Sequence, residues 1–341
     1  MTFFRQLFDR TSCTYTYILA DLETRHAIII DPVREQFQRD IALLREWNLV
    51  PKYIMETHVH ADHVTSAGIF RQRYGTQTVI SSAAGSDCAE VQLDDGDMFS
   101  MGTVVLEGRH TPGHTSGCMI YVDHANGRVF TGDTLFIRGC GRTDFQEGDA
   151  EQLYKSVHQK IFSLEPEFLI YPGHDYQGRL HSTVQEEMDF NPRLKTSNSV
   201  ADFVQIMNNL NLSYPQKIDE ALPANLECGL PKPPSDWPVN YVDGIPEIPS
   251  LFAKSCLSEN GKTKFQLVDC REEVEWNAGH LEMATWIPLS NMMPHLKEIH
   301  KDAPILVYCR SGKRSLKATA FFQEQGFLAY SIQGGILELQ G

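Results

Sequence analysis

At 341 residues, 42% of them hydrophobic and 22% charged, the chain is long enough for two domains that each bury a core without staples. A net charge of -14 disfavours nucleic-acid backbones and anionic membrane surfaces as partners, and no apolar run approaches a membrane span, which predicts a soluble, cytoplasmic enzyme acting on small molecules. Eight cysteines without a C-x-x-C pair, and no room for a removable leader ahead of the strand-like residues from Tyr15 on, predict reduced thiols.

Strand-like runs at residues 17–20 and 27–30 precede a helical pattern over 36–47, where Phe37, Ile41, Leu44 and Trp47 recur at helical spacing. The apolar run 53–55 leads directly into Thr57-His58-Val59-His60-Ala61-Asp62-His63. His58 and His60 alternate, so an extended backbone aims both rings to one side, while Asp62 and His63 follow where the chain should turn toward a helix. Such crowding of ligand types just past a strand has little structural use and points to a metal site.

Further strand-like runs follow at 78–81, 104–107, 119–122, 129–131 and 168–171, with a helical pattern over 150–162 built on Leu153, Val157 and Ile161. His114, Asp133 and His174 each stand just beyond an apolar run. Pro112 and the glycines beside these residues make tight turns, and loops at one end of a sheet commonly assemble sites. Asp175, next to His174, is expected to orient its neighbours rather than bind metal.

Pro231, Pro233, Pro234, Pro238, Pro246 and Pro249 crowd the segment between Gly229 and Ser250. That density blocks helix and ladder pairing, so an extended, partly stiff linker is expected, with Trp237 and Tyr241 on a domain surface. The boundary falls near residue 240, dividing the chain into 1–240 and 241–341. Beyond it, 265–269 and 305–308 read as buried strands, and 315–325 as a helix for which Gly326 suits the C-terminal cap.

Cys309 lies between the second of these strands and the helix, in Cys309-Arg310-Ser311-Gly312-Lys313-Arg314. Loop amides, the helix end and the three cations all favour a thiolate there. Cys256 and Cys270 lack comparable surroundings and are expected to be packed.

His58-x-His60-x-Asp62-His63, His114, Asp133 and His174, in that order, resemble the metallo-β-lactamase superfamily, which implies an αββα sandwich over residues 1 to about 236. The stretches Phe4-Arg5-Gln6-Leu7-Phe8, Ile137 to Phe145, Ile170 to Tyr176 and Asn191-Pro192-Arg193-Leu194 look like the persulfide dioxygenases. In that family two histidines and one aspartate hold a single iron(II), which maps onto His58, His114 and Asp133. His60, Asp62, His63 and His174 become surrounding or vacant second-metal positions, and Arg142, Tyr176 and Arg193 become glutathione contacts. Two imidazoles and a carboxylate leave room for a persulfide sulfur and O₂ together. Every ligand of a dinuclear zinc hydrolase is also retained, so a glyoxalase-II-like thioester hydrolase is the alternative.

The C-x4-R loop from Cys309 to Arg314, with Asp269-x-Arg271, Gly279-His280-Leu281 and Ile287-Pro288-Leu289, resembles the rhodanese sulfurtransferases, an α/β fold on a central parallel sheet. Cys309 would carry sulfane sulfur as a persulfide. The implied reactants are glutathione persulfide, glutathione, O₂, thiosulfate and sulfite, and relatives allow a homodimer. A C-terminal domain serving only for docking is the contrasting expectation, and it would need no thiolate.

Overall fold

Residues 2–210, 212–215, 217–230, 234, 236–258 and 265–341 are described by a computed structural model. The chain packs as two units, residues 1–67 with 76–228, and 68–75 with 229–341.

The first unit holds two six-stranded sheets. One runs β1 (Thr2–Phe8), β2 (Tyr15–Asp21), β3 (His26–Ile30), β4 (Val50–Met55), β5 (Gln77–Ser81) and β6 (Val91–Leu93) in spatial order. Its first two pairings are antiparallel and the rest parallel. The other contains β7 (Met98–Met101), β8 (Val104–His110), β9 (Met119–Asp123), β10 (Arg128–Gly132), β11 (Leu169–Pro172) and β12 (Ser182–Thr183), all antiparallel except β10 with β11.

Alternation along the strands sorts the side chains. Tyr15, Tyr17, Leu19, Ile28 and Ile30 of the first sheet form one core with Leu106, Met119, Tyr121 and Phe130 of the second. The opposite parity of the second sheet, including Ile120, Val122, Val129 and Ile170, packs on Leu153 of α3 (Ala150–Ser156) and Phe203 of α5 (Val200–Asn208). On the first sheet Ile18, Ile29 and Ile54 are equally buried, as are Phe37, Ile41 and Leu44 along α1 (Phe37–Glu46). The layering is the αββα sandwich, with α4 (Val184–Phe190) and α6 (Ile218–Leu226) also in this unit. Each fully buried side chain of this size contributes about 1.5–3 kcal/mol, which makes the sheet interface the main support for the loops at its edge.

The second unit is built on a sheet in the order β13 (Asn240–Val242), β14 (Ile245–Ile248), β18 (Ala329–Ile332), β17 (Ile305–Tyr308), β15 (Gln266–Asp269) and β16 (Ala284–Trp286), parallel except between β13 and β14. Its helices are α2 (Ala67–Tyr74), nearly all of which falls in this unit, α7 (Ser250–Ser258), α8 (Glu273–Asn277), α9 (Lys313–Glu324) and α10 (Gly335–Gln340). Val268, Ile305, Val307 and Cys309 face one core, and Leu267, Leu306, Tyr308 and Tyr330 the other. Burial on both faces explains why these strands read as continuous apolar runs. α9 ends as expected at Gly326, with φ +79°: the Gly326 N–H donates to the Gln323 carbonyl at 2.9 Å and the Phe327 N–H to that of Phe322 at 3.0 Å.

Three expectations need correction. Part of the proline-rich segment is ordered sheet, because Pro246 opposes Tyr241 on β13 and lies ahead of the point where β14 pairs with β18. Pro231 and Pro233 lie outside the described residues. Trp237 is buried, its ring 5.1 Å from that of Tyr330, while Tyr241 is exposed. Finally, Cys88 and Cys228 form a disulfide across a separation of 140 residues, so the thiols are not all free. Only the fold brings such distant cysteines together. No helix among the described residues is long and apolar enough to cross a membrane.

Candidate metal centre and thiol loop

The histidine-rich loop leaves β4, His114 lies between β8 and β9, Asp133 follows β10, and His174 follows β11. Folding brings all of these stations to one edge of the sandwich. One ligand atom each from His58, His114 and Asp133 lie within 4.8 Å of one another. His114 Nε2 is 3.5 Å from Asp133 Oδ2, and His174 Nε2 is 3.5 Å from Asp133 Oδ1.

Hydrogen bonds decide which ring nitrogens are free. His114 Nδ1 donates to the Arg142 carbonyl at 2.7 Å, which leaves Nε2 bare. Thr57 Oγ1 donates to Asp31 Oδ2 at 2.8 Å, so its lone pair receives His58 Nδ1–H at 3.0 Å. Burial, then the neighbouring His60 and His114 rings, push His58 well below the ordinary imidazole range, which keeps it neutral. Asp133 Oδ1 is buried without a hydrogen-bond partner. Two oriented imidazoles and an unsatisfied carboxylate oxygen fit a divalent cation. Close packing preserves the arrangement, since a β-carbon on Gly141 would stand 2.4 Å from the Asp133 carbonyl oxygen and 2.9 Å from the His114 ring.

His60 is held differently. Its Nε2 lies 3.1 Å from Asp31 Oδ1 and 3.3 Å from Glu56 Oε2. A second group, His60, Asp62 and His63, also brings ligand atoms within 4.8 Å, and His63 Nδ1 is 3.0 Å from Asp62 Oδ2. Asp175 binds no ring: its carboxylate accepts the Gln177 and Arg179 N–H groups at 2.8 and 2.9 Å and pairs with the Arg179 guanidinium. It thereby shapes the loop carrying Tyr176.

Beside the centre is a cavity of about 620 Å³ whose lining includes His114, Asp133, Arg142, His174, Tyr176 and Arg193. Tyr176 is 71% exposed and its ring is stacked on that of His174 at 6.0 Å. Arg142 is clamped by Asp144 at 2.6 and 2.7 Å and donates to the Ser213 carbonyl, and Arg193 donates to the Cys140 carbonyl at 3.2 Å. Sequence reasoning missed Arg138 and Arg179 in this lining, and Asp31, Glu56 and Asn225 behind the centre. Asp31 ends the run Ile28-Ile29-Ile30, a charged residue just past a buried strand, which was the available signal.

In the second unit Cys309 follows β17, with Ser315 Oγ 3.7 Å from its sulfur. Its thiol is pulled down to about 4: the Cys270 thiol bonded to it is the largest cause, burial opposes, and the Ser315 and Ser311 amides assist. Cys270 is packed as expected, fully buried in the same core as Cys309. Arg314 is engaged by both Glu275 oxygens at 2.6 and 2.7 Å, so the cationic loop is partly neutralised. Asp269 and Arg271 form the frame beneath, with Arg271 Nη2 at 2.6 Å from Asp269 Oδ2 and 2.7 Å from the Gly279 carbonyl.

Residues 10–174 match the Metallo-beta-lactamase superfamily and residues 253–341 the Rhodanese-like domain. The mitochondrial persulfide dioxygenase ETHE1 of Bos taurus is 52% identical over 232 residues, which is 68% of this chain and 90% of that protein. Its Homo sapiens counterpart is 51% identical over 230 residues, 67% of this chain and 89% of that protein. The crystal structure of ETHE1 from Myxococcus xanthus superimposes with a TM-score of 0.65 at 48% identity, covering 67% of this chain and 99% of that one. A metallo-beta-lactamase structure from Staphylococcus aureus covers 98% of this chain and 99% of its own with a TM-score of 0.62 at 23% identity, a likeness of fold.

Proposed function

The chain belongs to the metallo-beta-lactamase superfamily, among the persulfide dioxygenases, and carries a rhodanese-like domain; on that premise we propose that it oxidises glutathione persulfide with O₂ to sulfite and glutathione, and exchanges sulfane sulfur through Cys309. We take residues 1–240 as the oxidising domain and 241–341 as the transfer domain. The carrying observation is the meeting of His58, His114 and Asp133 with two bare nitrogens and an unsatisfied oxygen.

These three residues would hold iron(II), one per chain, which supplies the redox chemistry for joining O₂ to the persulfide sulfur. Thr57 and the Arg142 carbonyl keep the two rings in the tautomer that offers Nε2. Arg142, Arg193 and Tyr176 would receive the carboxylates and backbone of the glutathionyl group in the neighbouring cavity, Arg142 exchanging Asp144 for substrate. Holding the tail there places the terminal sulfur toward Asp133 and gains rate by positioning.

In the transfer domain Cys309, held as thiolate, would attack the outer sulfur of thiosulfate and release sulfite. Glutathione then takes the sulfane sulfur, giving glutathione persulfide for oxidation. The reverse exchange uses the same residues.

A second reading, a glyoxalase-II-like thioester hydrolase with two zinc ions, is favoured by the His60, Asp62 and His63 group. Against it, His60 Nε2 is already engaged by Asp31 and Glu56. The test is O₂ uptake and sulfite formation on adding glutathione persulfide to metal-analysed protein. One iron per chain with matched O₂ loss and sulfite gain supports the dioxygenase; two zinc ions with thioester cleavage and no O₂ uptake support the hydrolase.

A further inference from the structure

The strand register of the second unit sets Asp269 opposite Tyr308, and the next residues along these parallel strands are Cys270 and Cys309. Adjacent strands lie about 4.8 Å apart, within the Cα separation of roughly 4.4–6.8 Å that a disulfide accepts. Both cysteines have the parity of Val268 and Val307 and face the same core, so their side chains leave the sheet on one side. Both are free and both are buried, at 0% and 1% exposure, and each thiol is the first cause of the other's shifted proton affinity. A thiol packed for bulk alone would gain nothing from standing against a sulfur nucleophile.

The two differ in proton affinity. Cys309 is held low, while Cys270 is raised well above the ordinary thiol range, first by its bond to Cys309 and then by burial. The pair therefore keeps its proton on Cys270 while Cys309 is the thiolate.

We propose that Cys270 is a resolving thiol that gives this domain a second activity, the release of sulfane sulfur as hydrosulfide. This rests on the reading of Cys309 as the sulfur acceptor. Once Cys309 carries the added sulfur, the Cys270 sulfur attacks Cys309 Sγ. The new Cys270–Cys309 bond forms as the bond from Sγ to the outer sulfur breaks, and the outer sulfur leaves with that electron pair and the Cys270 proton. Persulfide anion plus thiol thus becomes disulfide plus hydrosulfide, with atoms and charge conserved. The outer sulfur is reduced, Cys270 is oxidised, and no outside oxidant enters. Two equivalents of a small thiol reopen the disulfide for another cycle. The attack is intramolecular and needs no acceptor to enter, so it competes when transfer to an external thiol is slow.

The test uses the full chain, freed of small thiols, with one equivalent of thiosulfate. Wild type should release sulfite and then hydrosulfide in equal amounts, and peptide mapping should recover a Cys270–Cys309 crosslink. Cys270→Ser should still release one equivalent of sulfite, at a rate lowered with the Cys309 thiolate fraction, keep the mass of one extra sulfur atom, and lose hydrosulfide release. Cys270→Val repeats the test with an apolar side chain in case serine disturbs the buried position. A wild-type persulfide as long-lived as that of both variants, with no crosslink, overturns the proposal. If no chain releases sulfite, the transfer reading fails instead; Cys309 is then persulfidated with inorganic polysulfide, and hydrosulfide release with or without Cys270 decides the pair on its own.

Discussion

Gly173 approaches Asp133 so closely that a β-carbon on the glycine would stand 2.5 Å from Asp133 Oδ1. Gly173 N–H also donates to the Gly132 carbonyl at 2.7 Å, which locks the turn after β11 against the turn after β10. Gly173→Ala is expected to displace the Asp133 carboxylate and empty the metal site while the sheets persist. Metal analysis beside far-ultraviolet circular dichroism checks this, and full metal content in the variant would show that Asp133 is not a ligand.

Thr57→Val keeps the side-chain shape but removes the oxygen that receives His58 Nδ1–H. Loss of such a supporting bond typically weakens metal affinity by about 10–100-fold. A chelator competition with the purified chain reads that change directly.

On the proposed docking of the glutathionyl group at Arg142, Arg142→Ala should raise KM for glutathione persulfide about tenfold with little change in kcat, and it leaves Asp144 without its arginine near the cavity. Arg142→Lys should recover only part of this, because an ammonium cannot make the paired contact. Steady-state kinetics in which kcat falls and KM holds would place Arg142 with the reacting atoms instead.

Cys309 is held at about 4, below the ordinary thiol value, so its thiolate persists as pH falls until that point is passed. Alkylation by iodoacetamide should therefore stay fast from neutral pH down to pH about 5 and decline below about 4. Because the Cys270 bond is the largest cause of the lowering, Cys270→Ala should move the midpoint upward. An unmoved midpoint would assign the lowering to the loop amides alone.

Asn225 donates to the His60 and His63 carbonyls at 2.9 and 2.8 Å and accepts the Thr65 N–H at 2.9 Å. Asn225→Ala strands buried backbone groups, each costing about 1–3 kcal/mol. Urea denaturation should show a lower midpoint, with metal affinity falling in parallel.

The metal-ligand types were legible because four sit within six positions and the rest each follow an apolar run, a pattern local in sequence. The αββα layering followed from the superfamily resemblance, and the strand-like runs marked most of its central strands. What stayed hidden was non-local. Asp31 and Asn225 meet the histidine loop from 26 and 165 residues away; Asp31 is marked only by its place past a buried strand, and Asn225 carries no local signature. The Cys270–Cys309 contact depends on register between β15 and β17, which apolar runs do not specify. β6 and β7 are short edge strands with one and two buried residues, too few for alternation to stand out. β1 buries only Phe3 fully, for the same reason.

The place of Asn225 also bears on biosynthesis. A ribosome delivers the candidate ligands His58, His114 and Asp133 well before it delivers residue 225, so the nascent chain exposes them while the clamp on the His60 and His63 carbonyls is still unmade. The histidine loop gains its final backbone anchor only when nearly the whole first unit has emerged. Secure capture of the ion therefore belongs to the end of that unit's synthesis, and truncations short of α6 should yield chains that hold metal loosely and exchange it freely.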